Sequence, residues 1–365
     1  MDERFQQICD WLEQLPILQG RTFSEPVPAS SDASFRRYFR IELAAPFTEP
    51  SSEELGYHND RLIIMDAPPQ HEDCRPFIDV ARTLQEIGLN VPKVLDQDLQ
   101  QGFLLLTDLG STTYLNELQN VDESRVDELY RQALSALVQL QSRTCQQAVH
   151  LPSYDSALLN REMDLFPDWL GEKHLTREFD KLQKAQWQEM KQCLIDSALQ
   201  QPQTYVHRDY HSRNLMLAPG RNPGILDFQD AVKGPLSYDA VSLLRDCYIA
   251  WPQEQVEEWL RAYFLELCQH QVLDKGQWND FQRAFDLMGI QRHLKASGIF
   301  ARLWHRDGKE GYLHDIPQTL QYIASIGSDY KEMRPLVGWI EDQWLPQVEK
   351  LNAEFQTASS SKAAS

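Results

Sequence analysis

The dominant hydrophobic period of the chain shifts near residue 110, and that shift limits the folds open to it. Before it, apolar residues alternate in short runs. In 37–43, Phe39, Ile41 and Leu43 alternate with Tyr38, Arg40 and Glu42, and 61–66, 93–96 and 103–107 read as further strands. Two helical stripes accompany them: Phe5, Ile8, Cys9, Leu12 and Leu15, and then Phe77, Val80, Ala81, Leu84 and Ile87, ending at Gly88. The polar stretch Ala29-Ser30-Ser31-Asp32-Ala33-Ser34 reads as a turn. From Ser111 onward the period is helical. Val126, Leu129, Tyr130, Ala133, Leu134, Leu137 and Val138 form one wide apolar face, and helical spacing returns over 238–350. Only 204–207, 215–217 and 224–226 read as strands in this half. The expected fold is α+β and bilobal. Residues 1–107 make a small sheet-containing N-lobe, 108–352 a larger, mainly helical C-lobe, and 353–365 a disordered Ala/Ser-rich tail.

Charge narrows the partners. Among 365 residues, 35 Lys and Arg face 54 Asp and Glu, a formal charge of −19. Such a chain repels phosphate backbones and anionic lipid unless a local basic patch intervenes, and its positive residues are scattered. Nucleic-acid and membrane binding are therefore not expected. No apolar run approaches the roughly 18–20 residues of a membrane span, and the opening Met-Asp-Glu-Arg lacks the basic-then-apolar pattern of a secretion signal. The six cysteines, Cys9, Cys74, Cys145, Cys193, Cys247 and Cys268, form no C-x-x-C pair. They read as reduced thiols rather than a zinc site or disulfide framework, and the expected address is cytoplasmic.

The chemistry concentrates in Val206-His207-Arg208-Asp209-Tyr210-His211-Ser212-Arg213-Asn214-Leu215-Met216 and in Ile225-Leu226-Asp227-Phe228-Gln229-Asp230, whose Asp227 lies eighteen residues past Asp209. Transfer of a phosphoryl group needs one carboxylate beside the acceptor hydroxyl, and a carboxylate with an amide to hold Mg²⁺ against the triphosphate. In H-R-D-x-x-x-x-N the first carboxylate is Asp209 and the amide is Asn214. Asp227, at the end of the next short strand, is the second carboxylate. A lone His-Arg-Asp would read as a surface loop; the full set at this spacing, flanked by strands, does not.

With these motifs the chain resembles the aminoglycoside phosphotransferase/choline kinase branch of the protein-kinase-like fold, over nearly its whole length. Three segments further resemble the bacterial kinases of cell-wall recycling that phosphorylate N-acetylmuramate and N-acetylglucosamine at the anomeric C1 hydroxyl. They are Met65-Asp66-Ala67-Pro68-Pro69, Leu165-Phe166-Pro167-Asp168-Trp169, and Gly298-Ile299-Phe300-Ala301-Arg302 continuing through Arg306-Asp307-Gly308-Lys309. The resemblance implies ATP and Mg²⁺ as cofactors and a nucleotide-binding N-lobe. Asp209 would orient or deprotonate the acceptor hydroxyl, with Asn214 and Asp227 on the metal. Residues 103–109 would be the strand and hinge that meet the adenine, Asp108 and Leu109 contributing main-chain groups. The product would be a sugar-1-phosphate, passed to a uridylyltransferase.

One departure from the kinase pattern is plain. The loop expected to cradle phosphate has no glycine, and the first lysine of the chain is Lys93, so the N-lobe phosphate lysine is missing. Hydroxyls and backbone N–H groups of Ser30, Ser31 and Ser34 would replace the loop. Arg37 or Arg40 would replace the charge, unless both are solvated strand-edge residues. In the helical part, Glu162, Asp168 and Trp169 are candidates to roof the acceptor, since an aromatic face beside carboxylates suits a sugar. His211 and Arg213 lie inside the catalytic loop and face either substrate or the loop itself. His207 reads as a loop-shaping residue, and Asp239 as an N-cap or loop anchor. Arg302, His305 and Arg306 would pair with a lactyl carboxylate, or simply end a helix in water. The competing functions are another small-molecule kinase of this fold, for an aminoglycoside or amino-alcohol, and a non-catalytic nucleotide-binding regulator.

Overall fold

Five strands form one antiparallel sheet: β1 (Val27–Ser31), β2 (Arg37–Glu42), β3 (His58–Asp66), β4 (Val94–Asp98) and β5 (Phe103–Asp108), in the order β1-β2-β3-β5-β4. The computed structural model describes residues 3–31, 35–47, 51–144 and 147–363, side chains excepted at 30, 31, 147 and 356–363. The expected strands are present within a few residues of their expected ends. The turn read at 29–34 instead begins as β1, whose register shifts between Pro28 and Ser30. Pro26 and Pro28 mask it in the sequence, yet an edge strand tolerates proline because one row of its N–H groups has no ladder partner.

Alternation decides which side chains meet. Phe39 and Ile41 of β2, Leu62 and Ile64 of β3, and Phe103 and Leu105 of β5 pack with Ile8, Trp11 and Leu12 of the helix Glu3–Gln14. All six residues of β5 are buried, as befits an inner strand covered on both faces. Where β3 ends, the fully buried Asp66 carboxylate lies between two guanidinium groups. Arg4 from the first helix donates to Oδ1, its Nε at 2.9 Å. Arg37 from β2 donates to Oδ2, with Nη2 at 2.6 Å and Nε at 2.9 Å.

The chain groups into two compact units. One comprises Met1–Gln147 with Asp209–Ala231, the other Ala148–Arg208 with Val232–Ser365. The catalytic segment after Arg208 thus packs with the sheet unit: Ile225 N–H donates to Asn90 carbonyl oxygen at 2.8 Å, and Leu217 N–H to that of Thr112 at 2.9 Å. In the second unit the thirty-residue helix Trp278–Asp307 is the central strut. At Gly298 it runs so close to the backbone of Leu165 that an added Cβ would lie 2.4 Å from the Leu165 carbonyl. Phe166 follows, stacked on Trp344 with ring centroids 4.4 Å apart. The last helix spans Leu345–Ala363, past residue 353, where the sequence reads as a disordered tail. Cys9, Cys74, Cys193, Cys247 and Cys268 are free thiols; Cys145 lies outside the described residues. Among the described residues no helix is long and apolar enough to cross a membrane.

Candidate active site

Two short antiparallel pairings shape the catalytic segment. The strand Gln203–Val206 pairs with Val232–Pro235, a strand that sequence reading missed, and delivers the chain to His207. There the backbone N–H groups of His207 and Arg208 donate to the fully buried Asp239, to Oδ2 at 2.7 Å and Oδ1 at 3.0 Å. Of the two readings of Asp239 the anchor is the observed one, since Ser237 occupies the N-cap position of the helix Tyr238–Leu244. Arg208 has φ 79° and its Nη2 donates to Glu162 Oε1 at 2.7 Å.

In the sheet unit, Leu215–Met216 pairs with Gly224–Ile225, and this hairpin brings Asn214 to Asp227. The Asn214 amide nitrogen donates to the Asp209 carbonyl oxygen at 3.0 Å and to Asp227 Oδ2 at 3.3 Å. Asp227 stands at φ 60°, left-handed backbone that re-aims its carboxylate, and Gln229 Nε2 donates to its Oδ1 at 2.7 Å. The amide nitrogen of Asn214 is thus used within the protein. Its oxygen and the Asp227 carboxylate make a pair of hard oxygen donors that fits Mg²⁺, an ion bound through one or two carboxylates with substrate phosphates completing its shell. Among the described residues no group of three or more His, Cys, Asp or Glu would hold a metal by itself.

Asn214 and Asp227 line one cleft of about 340 Å³ within the sheet unit, together with Arg40, Ile63, Phe77, Asp108, Leu109, Gly110 and Arg213. The connector at 108–110 is rigidly tied. Arg40 Nε donates to Asp108 Oδ2 at 2.5 Å and its Nη2 to Gly110 carbonyl oxygen at 3.0 Å, while Gly110 N–H donates to Asp108 Oδ1 at 2.8 Å. Gly110 adopts φ 108°, open to glycine and strained for other residues. Leu109 is buried against Met216 and Ala218. From β3 the cleft receives Ile63 rather than a cation, which agrees with the missing lysine.

Arg37 is committed to Asp66 and does not line the cleft; Arg40 lines it, but as the counter-ion of Asp108. Each arginine thus meets a buried carboxylate that needs a paired cation. Glu162 is likewise paired. It is only 6% exposed, with Arg208 and Lys295 on Oε1 and the Tyr154 hydroxyl on Oε2, so its oxygens serve the protein interior. Burial would raise its pKa, but Lys295 and Arg208 outweigh burial and hold it below the ordinary carboxylate range. Asp168 is exposed and Trp169 half-buried in the wide helical turn Phe166–His174. His211 is buried and Arg213 exposed toward the cleft. The backbones of Ser30 and Ser31 pair with Tyr38 and Arg37; Ser34 lies outside the described residues. His305 contacts His174, Nε2 to Nδ1 at 3.2 Å, and Arg306 pairs with Asp307. Sequence reading missed Asp66, Gln229 and Lys295 as partners: Asp66 and Lys295 lie outside the catalytic motifs, and Gln229, though inside the second one, gives no local sign that its amide meets Asp227.

A family model described as "Phosphotransferase enzyme family" matches residues 25–277. An N-acetylmuramate/N-acetylglucosamine kinase of Pseudomonas aeruginosa is 44% identical, the alignment covering 92% of this chain and 95% of the relative. A kinase of the same name from Pseudomonas putida is 46% identical over 89% and 92%, and one from Neisseria meningitidis serogroup B 42% identical over 84% and 87%. Among solved structures, the GDP complex of aminoglycoside 2'-phosphotransferase-IIIa superposes with TM-score 0.58 at 12% identity, covering 90% of this chain and 99% of that one. A choline/ethanolamine kinase family protein from Mesorhizobium loti gives TM-score 0.58 at 13% identity, covering 94% and 99%. These structures share the bilobal kinase-like fold. With a matched model over most of its length and relatives above 40% identity, the chain belongs to the phosphotransferase enzyme family.

Proposed function

We propose that this phosphotransferase uses ATP and Mg²⁺ to phosphorylate the anomeric hydroxyl of N-acetylmuramate and N-acetylglucosamine. The observation that carries the reading is the Asn214 amide, which ties the Asp209 backbone to the Asp227 carboxylate at the edge of a cleft that also holds the 108–110 connector. The names of the relatives supply the acceptor. Asp209 takes the proton of the acceptor hydroxyl or orients it for attack. A hemiacetal hydroxyl is more acidic than an ordinary alcohol, so a modest carboxylate base suffices. Asn214 and Asp227 hold the metal, which when bound offsets negative charge on the phosphates. Backbone groups of Asp108 and Leu109 meet the base of the nucleotide. Arg213, exposed on the cleft beside Asn214, supplies phosphate-facing charge in place of the missing lysine, with Ser30, Ser31 and Ser34 as further donors. Asp168, Trp169 and His211 remain the candidates for sugar contact. Positioning and charge neutralisation account for the rate, as expected of phosphoryl transfer. The reaction belongs in the cytoplasm, where ATP is found, and its sugar-1-phosphate is the form a uridylyltransferase consumes.

The test is ADP release with Mg-ATP across N-acetylmuramate, N-acetylglucosamine, choline and kanamycin. Turnover with the two amino sugars supports the reading. Turnover confined to choline or kanamycin moves the acceptor to another substrate class, one a chain of charge −19 would suit. Nucleotide binding without turnover on any acceptor points to the regulator instead.

A further inference from the structure

Arg208 combines a left-handed backbone, a buried carboxylate partner and a place one residue before Asp209, and the proposed chemistry makes no use of the first two. Glycine enters φ 79° freely; a residue with a long side chain does so under strain. The peptide N–H is pinned by Asp239 at 3.0 Å and the guanidinium by Glu162 at 2.7 Å. Glu162 is itself fixed. Lys295 Nζ lies 3.1 Å from the same oxygen and donates to the Tyr238 hydroxyl at 3.0 Å, while the Tyr154 hydroxyl donates to the other oxygen and accepts from Gln291 Nε2 at 3.2 Å. The clamp residues, Arg208 included, belong to one compact unit, and Asp209, joined to Arg208 by the peptide bond, is the first residue of the segment grouped with the other. An arginine is thus clamped at backbone and side chain where a glycine would be at ease. The direction in which the chain leaves Arg208 sets where Asp209 begins.

We propose that Glu162 is a positioning residue for phosphoryl transfer, its ion pair with Arg208 fixing the strained residue from which Asp209 projects. This rests on the kinase reading. It assigns Glu162 no contact with sugar or nucleotide, so loss of the pair must act on turnover and not on substrate affinity.

Three variants of the full chain test it: Glu162→Gln, Arg208→Gly, and both together. For each, kcat, KM for the sugar, KM for ATP and the thermal midpoint are measured. Each single change lowers kcat about 10- to 100-fold, the size expected when a catalytic group is displaced by up to about 1 Å. Both KM values stay within about twofold of wild type. The double variant is no slower than the slower single, because both changes remove the same pair. Arg208→Gly remains folded, since glycine accepts the backbone. Wild-type kcat in folded Arg208→Gly overturns the proposal. So does a raised sugar KM at unchanged kcat, which would make the pair a substrate contact, and so do losses that multiply in the double variant. Should Glu162→Gln not fold with Lys295 left uncompensated, Glu162→Gln/Lys295→Met removes that cation and reports the same kcat. A wild-type chain inactive on every sugar removes the kinase reading first, before any variant is needed.

Discussion

At the scale of single residues, side chains split between those that act and those that hold, and burial with partners decides which. Asp209→Ala is expected to abolish turnover while nucleotide affinity, measured by calorimetry, stays near wild type; residual turnover near the wild-type rate would contradict the assignment. Asp66→Ala removes the shared partner of Arg4 and Arg37. Breaking a fully buried pair costs about 3–5 kcal/mol, and here about 2–3 kcal/mol is expected because the Arg37 side chain is 39% exposed and can reach water. Urea unfolding measures it, and a loss below about 1 kcal/mol would mean the hub adds little. That Asp209, Asn214 and Asp227 lie together was legible in the sequence, because the proposed chemistry fixes both residue type and spacing. The pairings of Arg37 and Arg40 were not, because their carboxylates lie 29 and 68 residues away and nothing local announces either one.

Among the elements, those with a clean hydrophobic period were legible and those without one were missed. The helices Glu3–Gln14, Arg75–Glu86 and Glu123–Arg143 carry one apolar stripe each, and β2, β3 and β5 show the expected strands. β1 is broken by proline, and Val232–Pro235 is four residues containing glycine and proline, so neither announces itself as a strand. Sequence also gives no sign of how closely helices pass. Gly298 sits where Trp278–Asp307 meets Leu165, and even a methyl group there must push backbone aside. Gly298→Ala is therefore expected to destabilise by about 1–3 kcal/mol despite alanine's better helix propensity. An unchanged or raised urea midpoint would show that the two segments can separate without cost.

For the whole molecule, the acidic composition argued against nucleic-acid and membrane partners but said nothing of the buried histidines. Burial, with His305 beside it, lowers the His174 pKa to about 4, and burial with Arg292 nearby lowers that of His293 to about 3. Both start from an ordinary value of 6.5. The unfolded chain therefore takes up protons first as pH falls. The stability these neutral rings contribute is complete above about pH 6.5 and is lost progressively down toward pH 3–4. The urea midpoint should drop between pH 7.5 and 5, and less so in His174→Gln; a flat profile in wild type would contradict this. The family and the fold were thus within reach of sequence, whereas the clamps around Asp209, Asn214 and Asp227 depend on contacts only the folded chain brings together. The central claim is transfer of phosphate to an anomeric oxygen with Asp209 as the acting carboxylate. It is tested most directly by ³¹P NMR of the product formed from Mg-ATP and N-acetylmuramate, with wild type and Asp209→Ala side by side. A phosphate coupled to the anomeric proton with wild type, and no such signal with the variant, is the predicted result. A phosphate on another sugar oxygen, or the same product from both proteins, would contradict it.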